Sequence, residues 1–160
     1  DVDFVEDFII GYRKFYSNPK ESITFFNKLN EEEFYEIKFF KARCYEVLGE
    51  DEQAILAYRN YLNSDYFKLD ENKDQATVNE FYINHTIASL LVKQKKYEEA
   101  NLVFENILGQ INFEEYLENF DPSNNQEVKS FLNDYVETLE QIGQKNKATE
   151  ISEKIMRIFS

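Results

Sequence analysis

Four glycines and two prolines are all that this chain of 160 residues offers for breaking regular structure. A protein of many strands needs turn residues roughly every 8–12 positions, so the shortage argues against most β architectures and for long helices joined by tight turns. The apolar pattern agrees. Val5, Phe8, Ile9, Tyr12 and Phe15 step by three and four, which gathers side chains on one face of a helix. This spacing predicts a first helix over 2–17. "SNPKES" then breaks it, with Ser17 or Asn18 as a cap and Pro19 in the first turn of a second helix carrying Ile23, Phe26 and Leu29. Further helices are predicted over 31–48, 51–63, 74–95, 97–108, 126–142 and 145–159. Together they make eight helices in antiparallel pairs. The two long polar stretches, 64–74 and 109–126, fall between pairs and read as spacers.

Charge narrows the partners. With 18 basic against 31 acidic residues the formal net charge is -13, which repels nucleic-acid phosphates and anionic lipid and leaves proteins as the expected partners. Hydrophobic residues at 42% and aromatics at 16% are enough for a core. The one cysteine, Cys44, has no partner for an internal disulfide and is expected to pack as a small hydrophobe. "TIASLLV" at 86–92 falls well short of the about 20 apolar residues that span a bilayer as a helix. The chain opens on Asp1 instead of Met, which reads as a processed form or a piece of a longer chain and leaves the compartment open.

Three segments align on an early alanine: "EDEQAILAYRNYL" (50–62), "KYEEANLVFENIL" (96–108) and "KNKATEISEKIMRIF" (145–159). Ala54, Ala100 and Ala148 are the anchors, followed four and seven residues on by Tyr58 and Tyr61, Phe104 and Ile107, and Ser152 and Ile155. A small side chain recurs where two helices cross closely, because a larger one pushes the axes apart at a cost of roughly 1–3 kcal/mol. Earlier small residues accompany them. Ala42, Tyr45 and Gly49 precede Ala54; Ala88, Leu91 and Lys95 precede Ala100; Val136, Leu139 and Gly143 precede Ala148.

In these positions the chain resembles the tetratricopeptide repeat (TPR) family, whose unit is a helix pair of about 34 residues. A fainter first unit has Ser22 in the alanine place and Phe26 in the aromatic place, with no clear match in its first helix. The anchors are spaced irregularly, at 54−22 = 32, 100−54 = 46 and 148−100 = 48 residues. The tryptophan-like place of the first helix holds Lys38, Asn84 and Leu132. The resemblance implies an all-α fold, an α-α superhelix of about three to four divergent TPR-like repeats in a single domain over 1–160. Its approximate units are 3–34, 35–68, 81–114 and 129–160, with a concave face made by the first helices. It also implies a non-enzymatic module without cofactor or metal, binding a peptide or helix of a partner protein. The alternative is a self-associating or assembly scaffold, as in a membrane-associated complex.

Residues that could suggest chemistry have simpler readings. The pairs Glu98–Glu99 and Glu114–Glu115 and the run Glu31–Glu33 point about 100 degrees apart from residue to residue on a helix and do not converge; at helix starts they favour the N-terminal dipole. "DENKDQATVNEF" opens like a calcium loop with Asp70, Asn72 and Asp74, but has Gln75 where glycine makes the turn and Phe81 where a bidentate glutamate closes the site. His85 is isolated in sequence, with no second histidine and no cysteine near it to share zinc. No glycine-framed turn presents Ser22 or Ser89 as a nucleophile, and no phosphate-binding glycine motif exists. "NHT" at 84–86 matches a glycosylation triplet but lies within a predicted helix.

By the resemblance, partner-facing places fall on Glu36, Phe39, Phe40, Arg43 and Val47, on Tyr82, His85, Ser89 and Lys93, and on Ser130, Asn133, Asp134 and Glu137. Phe39, Phe40 and Tyr82 are the expected aromatic anchors, with burial of the phenylalanines as the open alternative. Arg43, His85 and Lys93 are expected to receive acidic groups of a peptide. Phe39, Arg43, His85 and Ser89 do not reproduce the lysine and asparagine set with which chaperone-tail binders of the family hold a terminal carboxylate.

Overall fold

The same helix-ending turn occurs three times. Gly49 N–H donates to the Glu46 carbonyl (3.0 Å) and Glu50 N–H to the Tyr45 carbonyl (2.9 Å). Lys95 and Lys96 repeat this onto Val92 and Leu91, both at 2.9 Å, and Gly143 and Gln144 onto Glu140 (3.2 Å) and Leu139 (2.8 Å). The pattern is a Schellman motif, which requires left-handed backbone at its central residue. Gly49, Lys95 and Gly143 have φ of 74°, 59° and 83°. In each case the next residue's carbonyl accepts from the anchor alanine four positions on, at Ala54, Ala100 and Ala148, and so starts the second helix. Lys95 adopts this conformation with a Cβ that crowds the following carbonyl. Lys95→Gly is therefore expected to stabilise the protein by about 1 kcal/mol, read as a higher denaturation midpoint; an unchanged or lower midpoint would contradict it.

The computed structural model describes residues 2–65, 73–110 and 126–160. Eight helices and no strand are present among the described residues: α1 (Val2–Lys14), α2 (Pro19–Phe26), α3 (Glu36–Val47), α4 (Asp51–Leu62), α5 (Lys73–Lys93), α6 (Tyr97–Gln110), α7 (Gln126–Gln141) and α8 (Lys145–Phe159). All eight expected helices are present. Most of each expected spacer and residues 70–72 of the calcium-like loop lie outside the described residues, and the rest of that loop sequence falls in α5. No helix among the described residues is long and apolar enough to cross a membrane, and no cluster of metal-ligand side chains occurs among them.

The largest boundary difference is at the third helix, expected from 31 and observed from Glu36. Asn30 diverts the chain: its side-chain oxygen accepts from Glu32 N–H (3.2 Å), and its carbonyl accepts from Glu33 and Phe34 N–H. A short amide side chain offers the backbone this alternative to a helix. The carboxylates of the turn then reach onto α3, with Glu32 to Lys38 and Glu31 to Lys41 both at 2.9 Å. Lys38 thus fills the tryptophan-like place with its stem packed and its ammonium paired.

The chain divides into two units, Asp1–Glu80 and Phe81–Ser160. In the first, Asn18 caps α2 by accepting from Glu21 N–H (3.2 Å) with Pro19 following it, as expected. α1 and α2 cross at Gly11, where an added Cβ would lie 2.9 Å from Phe26 Cε1; the buried Ser22 hydroxyl donates to the Gly11 carbonyl. Phe15, Phe26, Ile37 and Cys44 form the core, with Phe4, Phe8, Ile23, Leu29, Phe34 and Phe40 packed on it. Burial raises the Cys44 thiol pKa above its ordinary value, consistent with a packing role. In α3 and α4, Ala42 and Ala54 are both fully buried. The Tyr58 hydroxyl donates to Glu46.

In the second unit, Ala88, Ala100, Phe104, Leu132, Tyr135 and Leu139 are buried. Phe104 of α6 meets the rings of Phe131 and Tyr135 of α7, both at 5.2 Å. Glu105 ties three helices by accepting from the Tyr135 hydroxyl and the Lys147 ammonium, each at 2.8 Å. On α8, Ile151 and Ile155 are buried while Ser152, at the place of Tyr58 and Phe104, is only half-buried.

Candidate functional site

The residues expected to face a partner lie on the first helices of the pairs, and the two units treat them differently. In the first unit Phe40 is held at the core's edge, its ring 5.9 Å from Phe8, 5.6 Å from Tyr12 and 5.8 Å from Phe26. Phe39 lies 6.2 Å from Tyr58 and 5.7 Å from Tyr61 of α4. Both phenylalanines are half-buried, so each offers only an edge. Arg43 is engaged within its own unit, donating to the Glu46 carboxylate at 3.3 Å with its guanidinium 6.0 Å over the Phe15 ring. Glu46 thereby joins Arg43 to the Tyr58 hydroxyl, whose pKa burial first and the Glu46 carboxylate second raise far above its usual range.

In the second unit α5 and α7 bring several candidates together across a long stretch of sequence. Ser89 donates to Asp134 at 2.8 Å, and the His85 ring meets Phe131 edge-on at 5.2 Å. The Tyr97 hydroxyl donates to Glu137 at 3.1 Å. Tyr82 stays 38% exposed one turn before His85, and Lys93 and Asn133 are exposed on α5 and α7. Burial holds the His85 imidazole below its ordinary pKa against the opposing pull of Asp134 and Glu127, so it is neutral at pH 7. Burial raises the Asp134 carboxyl, with the Ser89 hydrogen bond and His85 working the other way. The serine proton goes to the carboxylate and not to the imidazole, an arrangement opposite to nucleophile activation. His85 Nε2 is buried without a hydrogen-bond partner.

Of the cations expected to receive acidic groups, Arg43 is therefore already bonded to a carboxylate and His85 is neutral, while Asp134 and Glu137 supply negative charge to the α5–α7 face.

Gly11, which sequence reasoning missed, sets the register of the first unit. The small residue of the first helix precedes the anchor by 12 positions in the later pairs (54−42, 100−88, 148−136) and by 11 in the first (22−11). A search allowing one residue of slack in the turn would have found it. Places six and two before and one and five after the small residue read Glu36, Phe40, Arg43 and Val47 on α3 and Tyr82, Thr86, Ser89 and Lys93 on α5. From Gly11 they read Val5, Ile9, Tyr12 and Tyr16. These are exposed by 52%, 41%, 48% and 84%.

No family model and no curated protein matches the chain. Among solved structures it is similar to the crystal structure of a candidate kinesin light chain of Podosopora anserina with nearly identical TPR-like repeats, at 13% identity and a TM-score of 0.62, covering 97% of this chain and 74% of that one. A single-residue variant of the same protein gives 13% identity, a TM-score of 0.61 and the same coverage. At such identity the likeness is one of fold, and it agrees with the three repeated turns and the buried alanines: the chain has an all-α fold of TPR-like helix pairs.

Proposed function

We propose that the protein is a non-enzymatic interaction module that holds a segment of a partner protein on the exposed faces of its first helices. In the second unit Tyr82, His85, Ser89, Lys93, Asn133 and Glu137 make that surface; in the first unit, taken by itself, Phe39, Phe40 and Arg43 of α3 are its counterparts. The single observation that carries this reading is the α5–α7 face, where Ser89 and Asp134 meet at 2.8 Å beside a neutral His85 and an exposed Tyr82. An apolar ring beside fixed carboxylates suits a side chain with an apolar stem and a cationic head. The net charge of -13 draws a basic segment from a distance.

The test is fluorescence anisotropy with a labelled peptide rich in lysine and arginine and its counterpart carrying glutamate at the same places. The basic peptide is expected to bind, more weakly as salt rises, and Glu137→Lys to lower its affinity by about tenfold. Absence of binding, or equal binding of the acidic counterpart, would remove this reading.

A further inference from the structure

Among the described residues, nine large hydrophobic side chains are exposed: Val47, Leu56, Tyr82, Leu102 and Met156, and the four that run through α1 and its following turn. The first five sit singly on five different helices, which is ordinary for a protein surface. Val5, Ile9, Tyr12 and Tyr16 do not. Val5, Ile9 and Tyr12 step by four and three along α1, an apolar line about 10 Å long at 1.5 Å per residue, and Tyr16 extends it in the turn that follows the helix. The stripe is separate from the face α1 buries, which is marked by Gly11 and Phe15. Tyr12 joins the two, its ring 5.6 Å from Phe40 and 6.5 Å from Phe8.

Tyr12 and Tyr16 lean on rings of the core, Tyr16 at 4.8 Å from Phe15, yet all four side chains stay exposed by 41% or more. At the corresponding places α5 carries Tyr82, Thr86, Ser89 and Lys93, three of them polar and compatible with the same fold. Exposed charges accompany the stripe: Glu6 towards its start, Glu36 one turn before Phe40 on α3, and Arg13 towards its end. Carboxylates outnumber cations here, as they do in the whole chain. A second copy of the protein would bring the same charge of -13 to this surface and be repelled.

We infer that the α1 stripe docks an amphipathic helix of a partner protein, about three turns long, with an apolar face at i, i+3/i+4 and i+7 and lysine or arginine along its flanks. Ridges of apolar side chains at this spacing fit the groove of a second helix with the same spacing, and the acidic flank selects a basic occupant. This inference rests on the interaction reading above and gives it a partner chemistry and an anchor site on the first helix.

The experiment uses a labelled amphipathic peptide of leucine and lysine, a scrambled peptide of the same composition without an apolar face, and a version with glutamate for lysine. The amphipathic basic peptide is expected to bind the wild-type protein, and the exposed double change Ile9→Gln with Tyr16→Gln to reduce its affinity at least about tenfold. Leu102→Gln, at a lone exposed site, should leave it unchanged. Circular dichroism of each variant, showing wild-type helicity, ties the loss to the surface. Equal binding of the scrambled peptide, or undiminished binding by the double variant, overturns the inference. So does a dimer of the wild-type protein in sedimentation that Ile9→Gln dissolves, since the stripe would then be covered by a second copy. If the double variant binds normally while Glu137→Lys still weakens the basic peptide, the α1 inference fails alone. If no basic peptide binds at all, both readings fail.

Discussion

Replacing Phe104 with alanine is expected to lower stability by about 3 to 5 kcal/mol, the largest single loss anticipated for this chain. The ring is completely buried, and it carries α6 onto α7 through Phe131 and Tyr135, both at 5.2 Å. Truncation removes its transfer free energy and leaves a cavity that neighbouring helices cannot close without moving Phe131 and Tyr135, themselves buried. Domains of this size are stable by about 5–15 kcal/mol, so the variant should begin to unfold at far lower denaturant. A guanidinium titration followed by circular dichroism reads the effect. A loss below about 1 kcal/mol would mean that the ring is not packed as described.

The reason Phe104 could be chosen from sequence alone also marks the limit of that approach. Its place follows Ala100 by one helical turn, and both positions repeat at Ala54 and Tyr58. Local periodicity thus identifies the core whenever the partner helix is the chain neighbour. The helix turns were legible for the same reason, including the unusual one, since Lys95 stands where Gly49 and Gly143 stand. Contacts between non-neighbouring helices were not. Ser89 and Asp134 are 45 residues apart, and no spacing rule distinguishes a groove residue that meets another groove residue from one that meets solvent. Phe39 and Phe40 were open between exposure and burial because adjacent helical residues diverge by about 100 degrees, so which one faces inward depends on the rotation of α3. That rotation is set by tertiary packing, with Phe40 drawn to Phe8 and Phe26 and Phe39 to Tyr61. The start of α3 was missed because one amide, Asn30, outcompeted an otherwise good helical stretch. The α1 stripe was partly visible as a periodic apolar run, but its exposure was not, because a run of this kind reads as core until the crossing at Gly11 fixes which side is buried.

That crossing yields the second large effect, through a contrast of sign. In a helix interior, glycine costs roughly 0.5–1 kcal/mol relative to alanine because the unfolded chain has more freedom to lose. Gly109 of α6 has nothing within 4 Å of an added Cβ, so Gly109→Ala should stabilise the protein by about 0.5–1 kcal/mol. Gly11 obeys the same propensity but faces the Phe26 ring, with Cε1 at 2.9 Å, Cδ1 at 3.1 Å and Cζ at 3.2 Å from the position its Cβ would take. Phe26 is fully buried in the core and cannot swing aside, so an added side chain must push α1 away from α2. Separation also stretches the bond from the Ser22 hydroxyl to the Gly11 carbonyl, leaving a buried polar group unpaired. Gly11→Val is therefore expected to destabilise by about 1–3 kcal/mol with the helix gain overwhelmed, measured by denaturant titration beside Gly109→Ala. Trimming the obstructing ring as well should recover part of the loss, so that Gly11→Val combined with Phe26→Leu is less damaging than the two single changes added together. Simple additivity, or a stabilising Gly11→Val, would show that the first pair does not cross at this glycine. The register that places Val5, Ile9, Tyr12 and Tyr16 in line with the candidate residues of the later pairs would then have to be drawn again.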